Sequence, residues 1–126
     1  MPPFLPVVML GGAIGAGLRY WLSRVALVHF GPGFPYGTLI ANLLGGLLMG
    51  LLAALLARGG AVDQRAFLFL GTGLLGGFTT FSAFSLETFG MLERGQPVMA
   101  LAYCGLSVAG ALLLLIVGYA AVRYTL

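Results

Sequence analysis

Charged residues are scarce in this chain of 126 residues, of which only 7% are Asp, Glu, Lys or Arg. Soluble domains contain about 25% charged residues, so this chain has too little polar side-chain surface for a soluble fold. Lysine is absent, and six arginines face only three carboxylates, Asp63, Glu87 and Glu93. The net charge of +3 is scattered along the chain, so we expect no nucleic-acid partner.

Chemically reactive residues are equally few. The single cysteine, Cys104, excludes an intramolecular disulfide and a cysteine-based zinc site. The sequence also has no paired carboxylates, no Ser-His-Asp set and no phosphate-binding loop that follows a strand. It therefore predicts that the protein is not an enzyme.

Apolar residues are abundant: 60% of the chain is hydrophobic and the mean hydropathy is +1.08. A membrane-spanning helix needs about 20 apolar residues, and four segments meet this requirement. We predict one all-α transmembrane domain over residues 1–126, with spans at about 4–22, 36–57, 66–94 and 97–122. Pairs of glycines four residues apart, such as Gly46 and Gly50, would let these helices pack closely.

The third span contains a predicted break between Gly76 and Ser82. Each glycine of the Gly76-Gly77 pair weakens a helix by about 1 kcal/mol relative to alanine, whereas threonine and serine favour helix caps. We expect the helix to stop near Gly76-Gly77 and to restart near Thr79 or Thr80. Unpaired backbone is tolerated in hydrocarbon only where protein buries it or it lines a cavity, so the break indicates a functional site. Carbonyls of the first half would suit a cation, and amides of the second half an anion.

The polar side chains within the spans are almost all neutral hydrogen-bond donors. A path for a small anion needs such donors, whereas a proton-coupled pump usually needs a buried carboxylate, and only Glu87 lies near a span. The positive edges of Phe78, Phe81 and Phe84 could face an anion, but core packing explains their spacing equally well. Asn42 could line a pathway or simply join two helices. The polar residues are Asn42, Thr72, Thr79, Thr80, Ser82, Ser85, Tyr103 and Ser107.

Arginines are distributed evenly between the two sides of the predicted bundle. Four spans place Arg58, Arg65 and Arg123 on one side, and the other three arginines on the opposite side. The excess of positive charge that normally sets a single orientation is therefore missing. We predict dual topology and an antiparallel homodimer in the lipid bilayer.

Three stretches resemble the helix motifs of the Fluc/CrcB fluoride channels. The segment GGFTTFSAFS at residues 76–85 resembles the third-helix signature, and this match is highly specific. GAGLRY at residues 15–20 resembles the first-helix motif, and GTLIANLLG at residues 37–45 resembles the second. The resemblance covers essentially the whole chain. It implies a dual-topology dimer in the cell inner membrane that exports fluoride passively and relieves fluoride toxicity.

The resemblance also implies roles for individual residues. A structural sodium ion at the dimer centre would be held by the backbone carbonyls of Gly76 and Thr79. Arg19 would lie near the vestibule, and Glu87 corresponds to the family's acidic residue in the third helix. Many members have threonine where this chain has Ala83, which removes one hydroxyl from the pathway. The anion pore would be lined by Asn42, Phe81, Phe84, Ser82, Thr80, Tyr103 and Ser107.

Two other functions remain as alternatives. A small multidrug-type exporter also has four spans and dual topology, but it needs a membrane-embedded carboxylate, and the first span has none. A non-conducting assembly subunit of a membrane complex would carry no ion when purified alone.

Overall fold

The computed structural model describes residues 2–125 and has four helical segments that are long and apolar enough to cross a membrane. The prediction of an all-α chain with four such segments is confirmed. Helix α1 is Leu5–Phe30, α2 is Tyr36–Arg58 and α6 is Pro97–Thr125. The third segment is divided into α3 (Gln64–Phe67), a π-helix (Leu68–Leu75), α4 (Gly76–Phe78) and α5 (Ser82–Glu93). We call residues 64–78 the first half-helix and α5 the second.

Helix α1 continues for eight residues beyond the predicted end of the first span. The prediction ended the span at residue 22 because Arg24 follows, but an arginine does not interrupt a helix. The helix ends instead at Gly31, whose positive φ of 77° is the conformation that glycine adopts most readily. Which part of each helix lies in hydrocarbon stays a prediction.

The break in the third segment comprises residues 79–81, in the second half of the predicted interval from Gly76 to Ser82. Gly76 and Gly77 are helical, and the first extended residue is Thr79, with φ −86° and ψ 158°. A Cβ atom on Gly77 would lie 2.9 Å from the Cα atom of Gly12 in α1. These glycines therefore allow two backbones to touch, and the packing outweighs their low helix propensity. The helix therefore continues through both glycines and stops after Phe78, one residue beyond the predicted pair.

The restart of the helix agrees with the prediction. The Thr80 hydroxyl oxygen accepts a hydrogen bond from the Ala83 backbone N–H at 3.1 Å, which is the contact that a capping residue makes. The backbone N–H of Ser85 donates to the Phe81 carbonyl at 2.8 Å, so helical hydrogen bonding begins immediately after Thr80.

Glycines hold the bundle together as two helix pairs. Cβ atoms on Gly46 and Gly50 of α2 would lie 3.3 Å and 3.0 Å from the Cα atoms of Ala111 and Leu115 in α6. On α1, a Cβ on Gly15 would lie 2.7 Å from the Phe78 backbone nitrogen. The α2–α6 pair and the pair of α1 with the first half-helix therefore pack backbone against backbone. The second half-helix is left to contact its neighbours through side chains.

Candidate functional site

Asn42 of α2 binds the backbone of the break through both ends of its side-chain amide. Its Oδ1 atom accepts a hydrogen bond from the Thr80 N–H at 2.8 Å, and its Nδ2 atom donates to the Thr80 carbonyl at 3.0 Å. The side chain thus satisfies the N–H and the C=O of Thr80, two backbone groups that a continuous helix would have satisfied. Because Nδ2 carries two N–H groups and Thr80 uses one, the other can serve a ligand.

A cavity of about 360 Å³ lies beside the hydrogen-bonded Asn42 and Thr80. Its wall includes the Asn42 amide, the Phe81 and Phe84 rings and Ser107 of α6. The Ser107 side chain is buried, and within residues 2–125 its hydroxyl oxygen has no hydrogen-bond partner. A buried hydroxyl without a partner costs free energy, so a ligand that accepts a hydrogen bond here would be favoured.

The two phenylalanines of this wall differ in burial. Phe84 is only 8% exposed, whereas Phe81 is 77% exposed on the surface of the single chain. Their ring centroids lie 5.6 Å apart with the planes tilted by 54°, so the two rings are in contact. Together they form a continuous aromatic surface from the exposed Phe81 to the buried Phe84.

Glu87 is held by two hydroxyl groups. Its Oε2 atom accepts from Thr38 of α2 and its Oε1 atom accepts from Tyr103 of α6, both at 3.0 Å. Tyr103 is fully buried, and its ring packs on Phe84 with a centroid distance of 5.1 Å. Tyr103 therefore connects the carboxylate to the aromatic pair. The sequence placed Glu87 only at the end of a span and gave no partner for it.

Thr38 belongs to this site and was not singled out from the sequence. It lies four residues before Asn42 on α2, so the two side chains share one face of the helix. That spacing is the signal that could have identified it. Thr38 and Glu87 also line a second cavity, again of about 360 Å³, which Ser107 does not line.

The hydroxyls at the start of the second half-helix are close together. The Thr80 and Ser82 side-chain oxygens lie 3.3 Å apart, and Ser82 is exposed on the single chain. The structure therefore brings Thr80, Asn42, Phe81, Phe84 and Ser107 around one cavity. Ser82 lies at its edge without lining it, and Tyr103 lies behind the Phe84 ring.

Arg19 lies beside the end of the first half-helix. Its Nε atom donates to the Gly77 carbonyl at 3.3 Å, where the helix dipole places partial negative charge. The arginine thus neutralises one of the carbonyls left unpaired by the break. A role of Arg19 in a vestibule stays a prediction.

The carbonyl oxygens of Gly76 and Thr79 lie at the break without a donor. Among the hydrogen bonds of residues 2–125, Leu75 accepts from the Thr79 N–H and hydroxyl, and Arg19 binds Gly77, but none reaches these two oxygens. Gly76 is exposed and has no side chain to shield its carbonyl. These two carbonyl oxygens could therefore serve as hard ligands for a cation.

Comparisons with known proteins show the family of this chain. A family model described as CrcB-like protein, Camphor Resistance (CrcB), matches residues 6–119. A protein of Cereibacter sphaeroides named fluoride-specific ion channel FluC is 53% identical over 116 residues, which cover 92% of this chain and 91% of the relative. Proteins of the same name from Sphingopyxis alaskensis and Clostridium perfringens are 52% and 43% identical. The Sphingopyxis alignment covers 84% of this chain and 84% of the relative. The Clostridium alignment covers 89% of this chain and 88% of the relative.

Proposed function

The chain belongs to the CrcB family, and we propose on this basis that it is a fluoride-selective channel that exports fluoride passively and relieves fluoride toxicity. It is a channel protein and not an enzyme. We place it in the cell inner membrane as a multi-pass protein, consistent with its four membrane-spanning helices.

The observation that carries the proposal is the buried Ser107 hydroxyl, which finds no hydrogen-bond partner within residues 2–125 and lies in a cavity that Asn42 also lines. Fluoride is small and strongly hydrated, so it crosses a membrane only where close donors replace its water. Neutral N–H and O–H groups provide this without a positive charge that would trap the ion. None of the described residues that line this cavity carries a carboxylate.

We infer a path that continues from this cavity along the aromatic surface of Phe81 and Phe84. Fluoride would pass the Phe81 and Phe84 ring edges and reach the Tyr103 hydroxyl, which now donates to Glu87. The Glu87 carboxylate would repel an anion, and it would compete with fluoride for hydrogen bonds from the Thr38 and Tyr103 hydroxyls. Its position would therefore control passage of the ion at this end of the path. The second cavity, beyond Glu87, supplies the exit toward water.

The exposed break supports an antiparallel homodimer. Gly76 and Phe81 are exposed on the single chain, and the free carbonyls of the break would face lipid there. Unpaired backbone groups are not tolerated against hydrocarbon, so another protein surface must cover them. A second copy in the opposite orientation would do so, and the even distribution of arginines would permit both orientations.

We propose that the same contact forms a sodium site. The Gly76 and Thr79 carbonyls of two copies would give four hard oxygen ligands, which suits a cation of this kind. Gly76 has no side chain and is exposed on the single chain, which would leave its carbonyl accessible to the second copy. Bound sodium would supply positive charge that offsets the carbonyl ends of both first half-helices.

Fluoride efflux from liposomes that contain only this protein tests the proposal. We expect rapid fluoride release and no chloride release, with protein-free liposomes as the control. No release from well-folded protein would instead indicate a non-conducting assembly subunit. Release that requires a proton gradient would indicate a coupled exporter.

A second experiment tests the sodium site. Exchange of sodium for a large organic cation should reduce the dimer fraction and the fluoride flux together. If both quantities are unaffected, the assignment of Gly76 and Thr79 as ligands is wrong, although the channel itself could still conduct.

A further inference from the structure

The loop between α1 and α2 places one aromatic side chain against the proposed fluoride path. This loop comprises residues 31–35, and the centre of its Phe34 ring lies 5.4 Å from the centre of the Tyr103 ring. The two ring planes are nearly perpendicular, at 81°, which is the edge-to-face arrangement that aromatic pairs favour. The loop therefore contacts the residue whose hydroxyl donates to Glu87.

The backbone of this loop is restricted on both sides of Phe34. Gly31 ends α1 with a positive φ of 77°, and the N–H of Tyr36 donates to the Phe34 carbonyl at 2.9 Å. The rings of Pro32 and Pro35 fix their own φ angles, and a residue before proline is disfavoured in the helical conformation. Phe34 directly precedes Pro35. Its aromatic ring therefore projects from a backbone with little freedom to move.

Tyr103 is packed by two rings from different parts of the chain. The Phe84 ring of α5 lies 5.1 Å from it, and the Phe34 ring of the loop lies 5.4 Å from it. Tyr103 is fully buried, and its hydroxyl donates to Glu87 Oε1 at 3.0 Å. The hydroxyl lies on the axis of the ring, so side chains that hold the ring also hold the hydroxyl. The two aromatic contacts thus fix this donor independently of Glu87.

Phe34 also separates Tyr103 from the second cavity. Phe34 and Glu87 line this cavity of about 360 Å³, whereas Tyr103 does not. A smaller side chain at residue 34 would extend the cavity to the Tyr103 ring, because surrounding atoms close such a gap only in part. The ring would then be free to turn toward the cavity and to carry its hydroxyl away from the path.

We propose that Phe34 is a positioning residue for fluoride, which keeps the Tyr103 hydroxyl in the path when Glu87 releases it. The inference rests on the proposed channel function and adds a residue outside the cavity of Asn42 and Ser107. A hydroxyl has one O–H donor, so fluoride can receive it only after the carboxylate has given it up. Phe34 acts through Tyr103 and need not contact the ion.

Fluoride efflux from liposomes that contain Phe34→Leu tests the proposal. An aromatic pair contributes a factor of about two to ten to an equilibrium. We expect flux to fall about fivefold in Phe34→Leu and to be retained in Phe34→Tyr, which keeps the ring. Equal losses in these two variants would show that the ring contact is not the cause. If Phe34→Leu does not fold in detergent, Phe34→Met takes its place, since it fills more of the same space without a ring.

Phe30→Leu is the matched control. Phe30 ends α1, its ring is 60% exposed, and it lies 5.0 Å from the Tyr36 ring. It lines neither the second cavity nor the cavity of Asn42. The same replacement here should leave flux unchanged. A loss equal to that in Phe34→Leu would show that any aromatic side chain near the loop matters, and would overturn the proposal.

A double-mutant cycle shows whether Phe34 acts through the Tyr103 hydroxyl. Tyr103→Phe removes this donor, and we expect flux to fall about tenfold. In the double variant with Phe34→Leu the loss should stay about tenfold, because no hydroxyl is left to position. A merely structural role of Phe34 would instead give an additive loss of about 50-fold, which would contradict the proposal.

A measurement without flux decides the matter if Tyr103→Phe conducts too little for the cycle. NMR of protein with isotopically labelled tyrosine Cζ atoms reports the surroundings of each hydroxyl, and the signal absent from Tyr103→Phe belongs to Tyr103. We expect this signal to shift in Phe34→Leu and to stay in place in Phe30→Leu. An unchanged signal in Phe34→Leu would show that Phe34 does not position the hydroxyl.

Failure of this proposal differs from failure of the channel proposal. If the native protein conducts fluoride and Phe34→Leu conducts equally, the role of Phe34 is wrong and the channel stands. If the native protein releases no fluoride, the channel proposal is wrong and the role of Phe34 fails with it.

Discussion

The two halves of the third span differ in what they present to the rest of the bundle. The first half-helix presents backbone: a Cβ on Gly73 would lie 3.2 Å from the Gly11 Cα, and a Cβ on Gly77 would lie 2.9 Å from the Gly12 Cα. The second half-helix presents side chains, of which Phe84 and Glu87 contact Tyr103. Backbone contact fixes a helix in place, whereas side chains provide chemistry. Because of the break, the two halves can turn different faces toward the bundle. One span can therefore provide both backbone packing and functional side chains.

The largest expected effect lies at the junction of the two halves, in Asn42→Asp. The carboxylate could still accept from the Thr80 N–H, but it would lose the donor to the Thr80 carbonyl and add a negative charge beside the cavity. A like charge at about 4 Å costs several kcal/mol even in a partly screened site. We expect fluoride flux to fall at least about 100-fold, measured as efflux from liposomes.

Gln64→Glu is the matched control for this change, because it makes the same amide-to-carboxylate replacement at an exposed helix start. It should leave flux unchanged, since negative charge is favourable at a helix N-terminus. Normal flux in Asn42→Asp would show that the pore does not pass this side chain.

The next effect tests the first half-helix alone, with Gly77→Ala. The added Cβ would lie 2.9 Å from the Gly12 Cα, and neither backbone can move away without separating α1 from the first half-helix. Overpacking of this kind costs about 1–3 kcal/mol of unfolding free energy. Thermal unfolding in detergent, followed by circular dichroism, would measure the loss.

Gly105→Ala is the control for Gly77→Ala. Gly105 is an exposed glycine of α6, and a Cβ there would have no atom within 4 Å. Alanine should stabilise that helix by up to about 1 kcal/mol. Equal responses of the two variants would mean that the contact between Gly77 and Gly12 contributes nothing.

These glycines also show what could be predicted from the sequence. Long apolar runs predicted the four helices, and Thr80 predicted the restart of the third, because both depend on local chemistry. The stopping point did not follow from Gly76 and Gly77, since their low helix propensity is outweighed by contacts with α1, which lies about 60 residues earlier in the chain. The Asn42–Thr80 pairing and the hydrogen bond from Thr38 to Glu87 were inaccessible for the same reason: each joins different helices.

A smaller effect separates function from stability within the cavity wall. Ser107→Ala removes a buried hydroxyl that has no partner within residues 2–125, so the unfolding free energy should change by less than about 0.5 kcal/mol or rise slightly. Fluoride would lose one donor, and we expect flux to fall about tenfold. Parallel measurements of thermal unfolding and of fluoride efflux would show the separation.

Thr88→Val is the control for Ser107→Ala. It also removes a hydroxyl, but one that already donates to the Phe84 carbonyl at 2.8 Å and does not line the cavity. Its flux should stay within about twofold of the native value. Equal losses of flux in the two variants would indicate that any hydroxyl of this region matters, and that Ser107 does not bind the ion directly.

The smallest expected effect concerns the start of the second half-helix, in Thr80→Val. Valine keeps the shape of threonine but cannot accept the Ala83 N–H, and loss of such a cap costs about 1 kcal/mol. The Thr80 backbone would remain bound to Asn42, so the break itself should persist. We expect flux to fall about fivefold and Thr80→Ser to retain it, since serine supplies the same cap. If both variants conduct normally, the pairing with Asn42 alone positions the second half-helix. The hydroxyl at residue 80 would then have no part in the pathway, and Asn42 and Ser107 would remain as the inferred hydrogen-bond donors to fluoride.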